Sequence, residues 1–209
     1  MKTTCIGRAL WIVGAMLVTT YGAARVYADA SSREGVQEFS HARARATSVS
    51  NEPALAPDQS RWSENRISAY ARSPAAQTEV IPQALLHIPS VNLTVPVYAD
   101  TSDSTLNRGA GLIAGTAGPG GAGNTGIAAH RDSFFRALKD VALGDRIEIE
   151  HFSATRVYRV SALYIVSPDD LRPLEQTQHS VLTLVTCYPF YYVGSAPQRY
   201  IVRAVAIDP

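Results

Sequence analysis

Cysteine is scarce in this sequence, since only Cys5 and Cys187 occur among its 209 residues. Exported domains that depend on disulfides usually carry several cysteines in even number. If the N-terminal segment enters a membrane, Cys5 lies inside it or on its cytoplasmic side, and Cys187 lies beyond it. The two thiols could not then meet, so we predict a fold without a disulfide.

The spacings typical of metal sites are missing as well. No Cys-x-x-Cys or His-x-x-x-His pattern occurs, and no cluster of carboxylates suggests a calcium site. The glycine-rich stretch 118–126, GPGGAGNTG, lacks the Gly-Lys-Ser/Thr ending of a phosphate-binding loop and leads into a β-rich run. We predict a flexible turn there, and we expect neither a metal nor another cofactor.

An excess of charge of one sign is also missing. The 19 Lys and Arg residues nearly balance the 18 Asp and Glu residues, which leaves a formal net charge of +1. Such a chain offers no strong electrostatic field for polyanions. Nucleic acid is therefore not expected as a partner, and the length fits one ordinary domain with extensions.

The N-terminus carries an apolar run over residues 9–24, which contain no charge and follow Lys2 and Arg8. A basic end before an apolar run is typical of an export segment. The run is shorter than the roughly 20 residues of a spanning helix, and residues 28–30, Ala-Asp-Ala, resemble a cleavage site. Residues 1–28 are thus predicted to be either a retained membrane anchor or a cleaved signal, with the rest of the chain exported.

Residues 29–78 are rich in Ala, Ser and Arg and poor in large apolar side chains. A stretch of this composition buries too little apolar surface to offset its ordering entropy. We predict a flexible spacer, in which residues 60–72 could form a short solvated helix that ends before Pro74.

Residues 79–209 change to short runs of β-forming residues separated by Gly, Pro, Asn and Asp. The alternation Ile-Glu-Ile-Glu at 147–150 has the period of two expected of a strand. One convincing helix occurs at 132–139, with Asp132 or Ser133 as its cap. The pattern predicts a single all-β barrel or sandwich over 79–209.

Cys187 ends one of these runs, because Tyr188 and Pro189 follow and proline cannot continue a central strand. A cysteine at a strand end is accessible to a substrate, although a buried, inert cysteine is the alternative interpretation. If this strand pairs antiparallel with the next one, Cys187 lies opposite Arg199. The same register gives two deeper pairs on the same face of the sheet, Val185 with Ile201 and Thr183 with Arg203.

Arg199 could then act on the thiol of Cys187. A fixed positive charge favours the thiolate and stabilises a developing oxyanion. Without a thiol beside it, Arg199 would be an ordinary solvated residue at a strand end. His130 ends another apolar run, and it becomes a candidate base only if it reaches the thiol.

Two strings resemble one known family. TLVTCYPFYYVGSAPQR at 183–199 resembles the sortase signature, a Thr-Leu-x-Thr-Cys strand followed by an arginine at the start of the next strand. GNTGIAAHRDSFFRAL at 123–138 resembles the sortase histidine segment, and the residues after Cys187 and His130 look most like class D sortases. The resemblance covers 79–209 and departs at Ala129, where related sequences often have glycine.

The resemblance implies a sortase-type β-barrel with one or two short helices, preceded by the anchor and the spacer. It implies a cysteine transpeptidase with Cys187 as nucleophile, His130 as its proton partner and Arg199 as electrophilic stabiliser. Thr186 would help to hold the oxyanion, although it could equally be an ordinary strand threonine.

The implied substrates are exported proteins with a Leu-Pro-x-Thr-like sorting signal near the carboxyl end. Their acyl group would pass through a thioacyl intermediate to an amine, either on a cell-wall precursor or on a pilin lysine. The catalytic domain would face outward from the cell membrane. Two alternatives remain, a non-catalytic envelope module built on the same barrel and a hydrolase that uses water as acceptor.

Overall fold

The computed structural model describes residues 2–48, 81–152, 154–191 and 195–207, and eight strands in this part close into a barrel. The strands are β1 (Ala84–Ile88), β2 (Leu93–Tyr98), β3 (Ala110–Leu112), β4 (Asn124–Ala128), β5 (Arg146–His151), β6 (Thr155–Val166), β7 (Val181–Tyr188) and β8 (Gln198–Ala206). Their order around the barrel is β1-β2-β3-β4-β7-β8-β6-β5. The predicted all-β barrel is confirmed.

Helices are short, apart from the first. The α-helices are α1 (Lys2–Ser48) and α2 (Asp103–Leu106), and single 3₁₀ segments span Pro89–Val91, Phe134–Asp140 and Arg172–Leu174. The segment Phe134–Asp140, called the 134–140 helix below, confirms the position of the helix predicted at 132–139. Ser133 lies at its N-cap, but its side chain makes no capping hydrogen bond.

Alternation along the strands separates a packed barrel interior from an outer face. Leu182 and Leu184 of β7 are fully buried in the core, whereas Val185 and Cys187 point to the other side and are partly exposed. Burial of one such leucine side chain contributes roughly 1.5–3 kcal/mol. The period of two therefore places Cys187 on the face of β7 that points away from the core.

The two strands that neighbour β7 in the barrel determine which residues surround its end. It pairs parallel with β4 and antiparallel with β8, so β4 and β7 end where β8 begins. We call this edge of the barrel the upper rim. The register predicted between β7 and β8 is confirmed at every predicted pair: Cys187 with Arg199, Val185 with Ile201, and Thr183 with Arg203.

Helix α1 extends further than the sequence pattern suggests. It runs without a break to Ser48, so residues 29–48 are helical and not the first part of a flexible spacer. The physical reason is a docking contact: Phe39 is only 1% exposed, and its ring stacks on that of Phe152 with 5.1 Å between centroids. The barrel supplies the apolar partner that the isolated segment lacks.

The docked part of α1 approaches β2 closely at Gly35. A Cβ at this position would lie 2.9 Å from Cγ of Pro96, so only glycine permits this approach without a shift. Two ion pairs further along the helix also join α1 to the barrel, Arg43 with Glu150 and Glu38 with Arg108.

The first half of α1 contains the apolar run at 9–24, in which the described side chains are largely exposed, Trp11 and Val18 among them. Within the described residues, no helix combines the length and the hydropathy that a membrane crossing requires. The helix predicted at 60–72 lies outside the described residues.

Candidate functional site

Cys187 lies at the upper rim, one residue before the end of β7. Tyr188 is the last strand residue, and a cis peptide bond joins it to Pro189. The thiol of Cys187 is free and the residue is partly exposed. Because Cys187 follows Val185 on the outer face, its side chain is not part of the packed core.

Arg199 lies directly opposite Cys187 on the neighbouring strand β8. Their Cα atoms are paired in the antiparallel register, so both side chains leave the same face. The Nη1 atom of Arg199 donates to the backbone carbonyl of Gln198 at 3.1 Å. In the described part of the chain no carboxylate forms an ion pair with Arg199, which leaves guanidinium donors available to a ligand.

His130 approaches from the opposite side of Cys187, at the exit of β4. The parallel register pairs Ala128 with Val185, and a backbone hydrogen bond from Ala129 to the Val185 carbonyl extends it. Continued by two residues along both chains, the same register places His130 level with Cys187. The backbone carbonyl of His130 accepts from the Phe135 amide at 3.1 Å, so the 134–140 helix fixes the chain directly after the histidine.

Thr186 precedes Cys187 in β7, and its side chain points to the interior of the barrel. It is 2% exposed, and its hydroxyl donates to the carbonyl of Ala129 at 2.8 Å. This bond ties β7 to β4 next to both Cys187 and His130. The structure thus gives the Thr186 hydroxyl a backbone acceptor, whereas the family resemblance implies contact with an oxyanion.

Ala129 is accommodated without crowding despite its methyl group. The residue is 5% exposed and packs in the hydrophobic core. Its carbonyl accepts the Thr186 hydroxyl and its amide donates to Val185, so both of its backbone polar groups are paired. The departure from glycine at this position fits the described packing.

A buried polar network below the thiol was missed by the sequence analysis. Asn124 donates its amide to the carbonyls of Pro173 and Glu175, and it accepts a hydrogen bond from the Thr183 hydroxyl at 2.7 Å. Arg203 also donates to the Pro173 carbonyl at 3.3 Å. The network fastens the segment Arg172–Leu174 to the outer face of the sheet. The only signal in the sequence was a lone asparagine at the start of an apolar run.

Aromatic rings close the interior side of the upper rim. Tyr188, Phe190 and Tyr200 contact one another with ring centroids 5.1 to 6.1 Å apart. Burial, and then the proximity of Tyr188, raises the pKa of Tyr200 above its usual value. This cluster packs against the end of the strand that carries Cys187, and the sequence analysis did not identify it.

The arrangement suits nucleophilic chemistry at sulfur. The strand register places the partly exposed Cys187 across from Arg199, with His130 just past the end of the other neighbouring strand. A guanidinium and a histidine are groups that can stabilise a thiolate and exchange a proton with a leaving group. Among the described residues, no group of three His, Cys, Asp or Glu side chains could hold a metal ion.

Comparison with known proteins agrees with this geometry. The family described as Sortase domain matches residues 86–207, which is more than half of the chain. The chain belongs to the sortase family. Sortase D of Bacillus subtilis strain 168 is 33% identical over 119 residues, or 56% of this chain and 60% of that protein. The match thus spans less than two thirds of that relative's length, and it confirms the resemblance to class D.

Solved sortases share the barrel. Sortase C1 of Streptococcus agalactiae, in complex with MTSET, is 31% identical with a TM-score of 0.58, covering 61% of this chain and 70% of that chain. A Clostridium perfringens Sortase D5 transpeptidase has a TM-score of 0.61 at 22% identity, covering 86% of this chain and 99% of that one. At that identity the second structure shows the common fold alone.

Proposed function

We propose that this sortase is a cysteine transpeptidase that cleaves a Leu-Pro-x-Thr-like sorting signal of exported proteins and transfers the acyl group to an amine. The observation that carries the proposal is the three-strand rim, in which Cys187 of β7 is paired with Arg199 of β8 and flanked by His130 after β4. Membership of the sortase family supports it.

The first half-reaction forms the thioacyl intermediate. The Cys187 thiolate attacks the carbonyl carbon at the scissile bond, and His130 in its protonated form donates to the leaving amine. Arg199 stabilises the oxyanion of the tetrahedral intermediate with donors that no carboxylate of the described residues occupies. The outer face of β7 provides the partly exposed Val185 next to the thiol as a floor for the bound peptide.

The second half-reaction returns the enzyme to its starting state. The incoming amine attacks the thioester carbon, gives its proton to the now neutral His130, and releases Cys187 as thiolate. The natural acceptor in this proposal is an amine on a cell-wall precursor or a pilin lysine. We assign Thr186 a positioning part, because its hydroxyl proton is already donated to the Ala129 carbonyl.

The proposed location is the outer side of the cell membrane. The uncharged run at 9–24 after two basic residues supports export, with residues 1–28 serving as a retained anchor or as a removed signal. The proposed division of the chain continues with a connecting segment at 29–78, of which 29–48 belong to α1, and a catalytic barrel at 79–209.

The decisive experiment uses the full chain with a labelled Leu-Pro-x-Thr peptide and mass spectrometry. We expect a thioacyl adduct on Cys187, no cleavage by Cys187→Ala, and no detectable turnover by His130→Ala. Turnover by either variant would remove that residue from the mechanism. A binding module would form no adduct, and a hydrolase would give the same product with and without added amine.

A further inference from the structure

A pocket lies immediately beyond the nucleophile, on the other side of the rim. It is lined by Lys139, Tyr188, Pro189, Phe190 and Tyr191 and has a volume of about 370 Å³. We call it the rim pocket. Cys187 projects from the outer face of β7, whereas Tyr188 belongs to the alternate row that closes the barrel interior. The rim pocket is therefore separate from the outer face on which the sorting peptide is proposed to lie.

The walls of the rim pocket are aromatic and differ in how far they are buried. Phe190 is buried and packs edge-on against Tyr188, which gives the pocket a fixed apolar floor. Tyr191 is 72% exposed, with its ring beneath the guanidinium of Arg136 at 5.2 Å from the ring centroid. Such walls suit the aliphatic part of a ligand.

Positive charge borders this apolar space. Arg136 and Lys139 are three residues apart in the 134–140 helix, and side chains at this spacing in a 3₁₀ helix lie on the same side. Asp140 is the carboxylate nearest to them in the chain, paired with Lys139 at 2.5 Å. Two cations against one anion leave a net positive border. The hydrogen bond from Lys139 to Asp140 raises the pKa of Lys139, so this side chain is charged at neutral pH.

We propose that the rim pocket binds the amine acceptor through a carboxylate that the acceptor itself carries. The proposal rests on the transpeptidase function proposed above and specifies its second substrate. A carboxylate would form charge-assisted hydrogen bonds with Lys139 and Arg136, while the carbon chain lies against the aromatic floor. The same cations disfavour the ammonium form of the acceptor, so the nitrogen that arrives is more often the neutral nucleophile.

The bond changes balance without another reactant. The neutral amine nitrogen attacks the thioester carbon, a C–N bond forms and the C–S bond breaks. Sulfur leaves with the bonding electron pair as the Cys187 thiolate, and the proton from nitrogen passes to His130. From the rim pocket the carbon chain of the acceptor must extend over the end of β7, so that its amine meets the thioester from the side opposite the acyl peptide.

The test compares two acceptors that differ in a single group, Nα-acetyl-lysine and its carboxamide. The full chain is acylated with the labelled peptide, and the ratio of transfer to hydrolysis is measured by mass spectrometry over a range of acceptor concentrations. The wild type is expected to use the carboxylate form at lower concentration. Lys139→Gln should raise the half-saturating concentration of that form about five- to tenfold without moving that of the carboxamide.

Control variants separate specific binding from general charge. Lys139→Arg should retain the preference because it retains the cation. Arg146→Gln removes one positive charge from β5, which does not line the pocket, and it should leave the preference unchanged. The proposal is overturned if the wild type treats both acceptors alike, or if Lys139→Gln weakens both equally.

A second measurement keeps this proposal apart from the transpeptidase proposal. The same two compounds are titrated into Cys187→Ala and Cys187→Ala/Lys139→Gln and followed by NMR, which requires no turnover. Saturable binding of the carboxylate form that the second variant loses would support the rim pocket, even if no thioacyl adduct ever formed on Cys187. Absence of such binding would overturn the pocket while leaving the first half-reaction intact.

Discussion

Replacement of Thr186 by valine tests whether its buried hydroxyl positions Cys187 and His130 for the proposed reaction. The side chain keeps its shape but loses the 2.8 Å hydrogen bond to the Ala129 carbonyl, and that carbonyl is left buried without its partner. An unsatisfied buried acceptor costs about 1–3 kcal/mol. Domains of this size have about 5–15 kcal/mol of stability, so the variant stays folded with Tm lowered by roughly 3–10 °C.

The catalytic effect of Thr186→Val should exceed what its stability loss explains. The bond joins β7 to β4 between Cys187 and His130, and small misplacements of reacting groups can cost about 100-fold in rate. We expect kcat for thioacyl formation to fall about 10- to 100-fold with little change in KM. Thr186→Ser keeps the hydroxyl and should restore most of kcat.

The matched control is Thr125→Val. Thr125 is also fully buried, and its hydroxyl also donates to a backbone carbonyl, that of Gly118 at 2.9 Å. This bond lies at the far end of β4 from His130 and its acceptor, Gly118, is exposed, so the variant should lose no more stability than Thr186→Val and should keep kcat within about twofold. Equal kcat values for the two valine variants at a temperature where both are folded would refute the positioning role.

Alkylation of Cys187 by iodoacetamide separates positioning from direct oxyanion contact. This reaction needs the thiolate but forms no oxyanion. If Thr186 positions His130, alkylation of Thr186→Val should slow severalfold relative to the Thr125→Val control. An unchanged alkylation rate together with a reduced kcat would instead support the oxyanion contact implied by the family resemblance.

Three further outcomes are expected. Arg199→Lys should lower kcat about 100- to 1,000-fold in the peptide assay, because an ammonium cannot reproduce the planar donor fork; near-normal turnover would mean that Arg199 only packs. Phe39→Ala should expose residues 29–48 to limited proteolysis, because it removes the ring stack that docks α1 on the barrel. Tyr21→Ala, on the exposed half of the same helix, should not have this effect. Equal cleavage of the two variants would argue against docking. Hydrogen bonds from the Ser102 backbone amide and the Thr105 hydroxyl lower the pKa of Asp100. Their stabilising effect is present above the ordinary carboxyl pKa of about 3.9 and is lost as pH falls through the lowered folded value. Asp100→Asn should therefore lower Tm at pH 7 and make little difference at pH 2, and a Tm difference independent of pH would contradict this origin.

The sequence predicted those features of the site that depend on neighbouring strands. Pro189 limits β7, the following strand is close in the chain, and the period of two then places Arg199 opposite Cys187. Local pattern was sufficient because a short connection joins the two strands. The position of the 134–140 helix was also predicted from local pattern, but its 3₁₀ hydrogen bonding was not.

Features that depend on distant contacts could not be predicted in this way. The parallel pairing of β4 with β7 joins residues 57 apart in the chain, as in Ala128 with Val185, and no local periodicity specifies it. For the same reason the acceptor of the Thr186 hydroxyl was unknown. The docking of α1 was missed because its stability comes from Phe152 on the barrel and not from the composition of residues 29–48.

The barrel order has a consequence for how this protein folds during its synthesis. β8 is the last of the eight strands along the chain, yet it is inserted between β7 and β6. During synthesis both of those strands present unpaired edges until β8 arrives, and open edges invite pairing with other chains. The same strand brings Arg199 to Cys187, so a nascent polypeptide cannot assemble a reactive centre before its barrel closes.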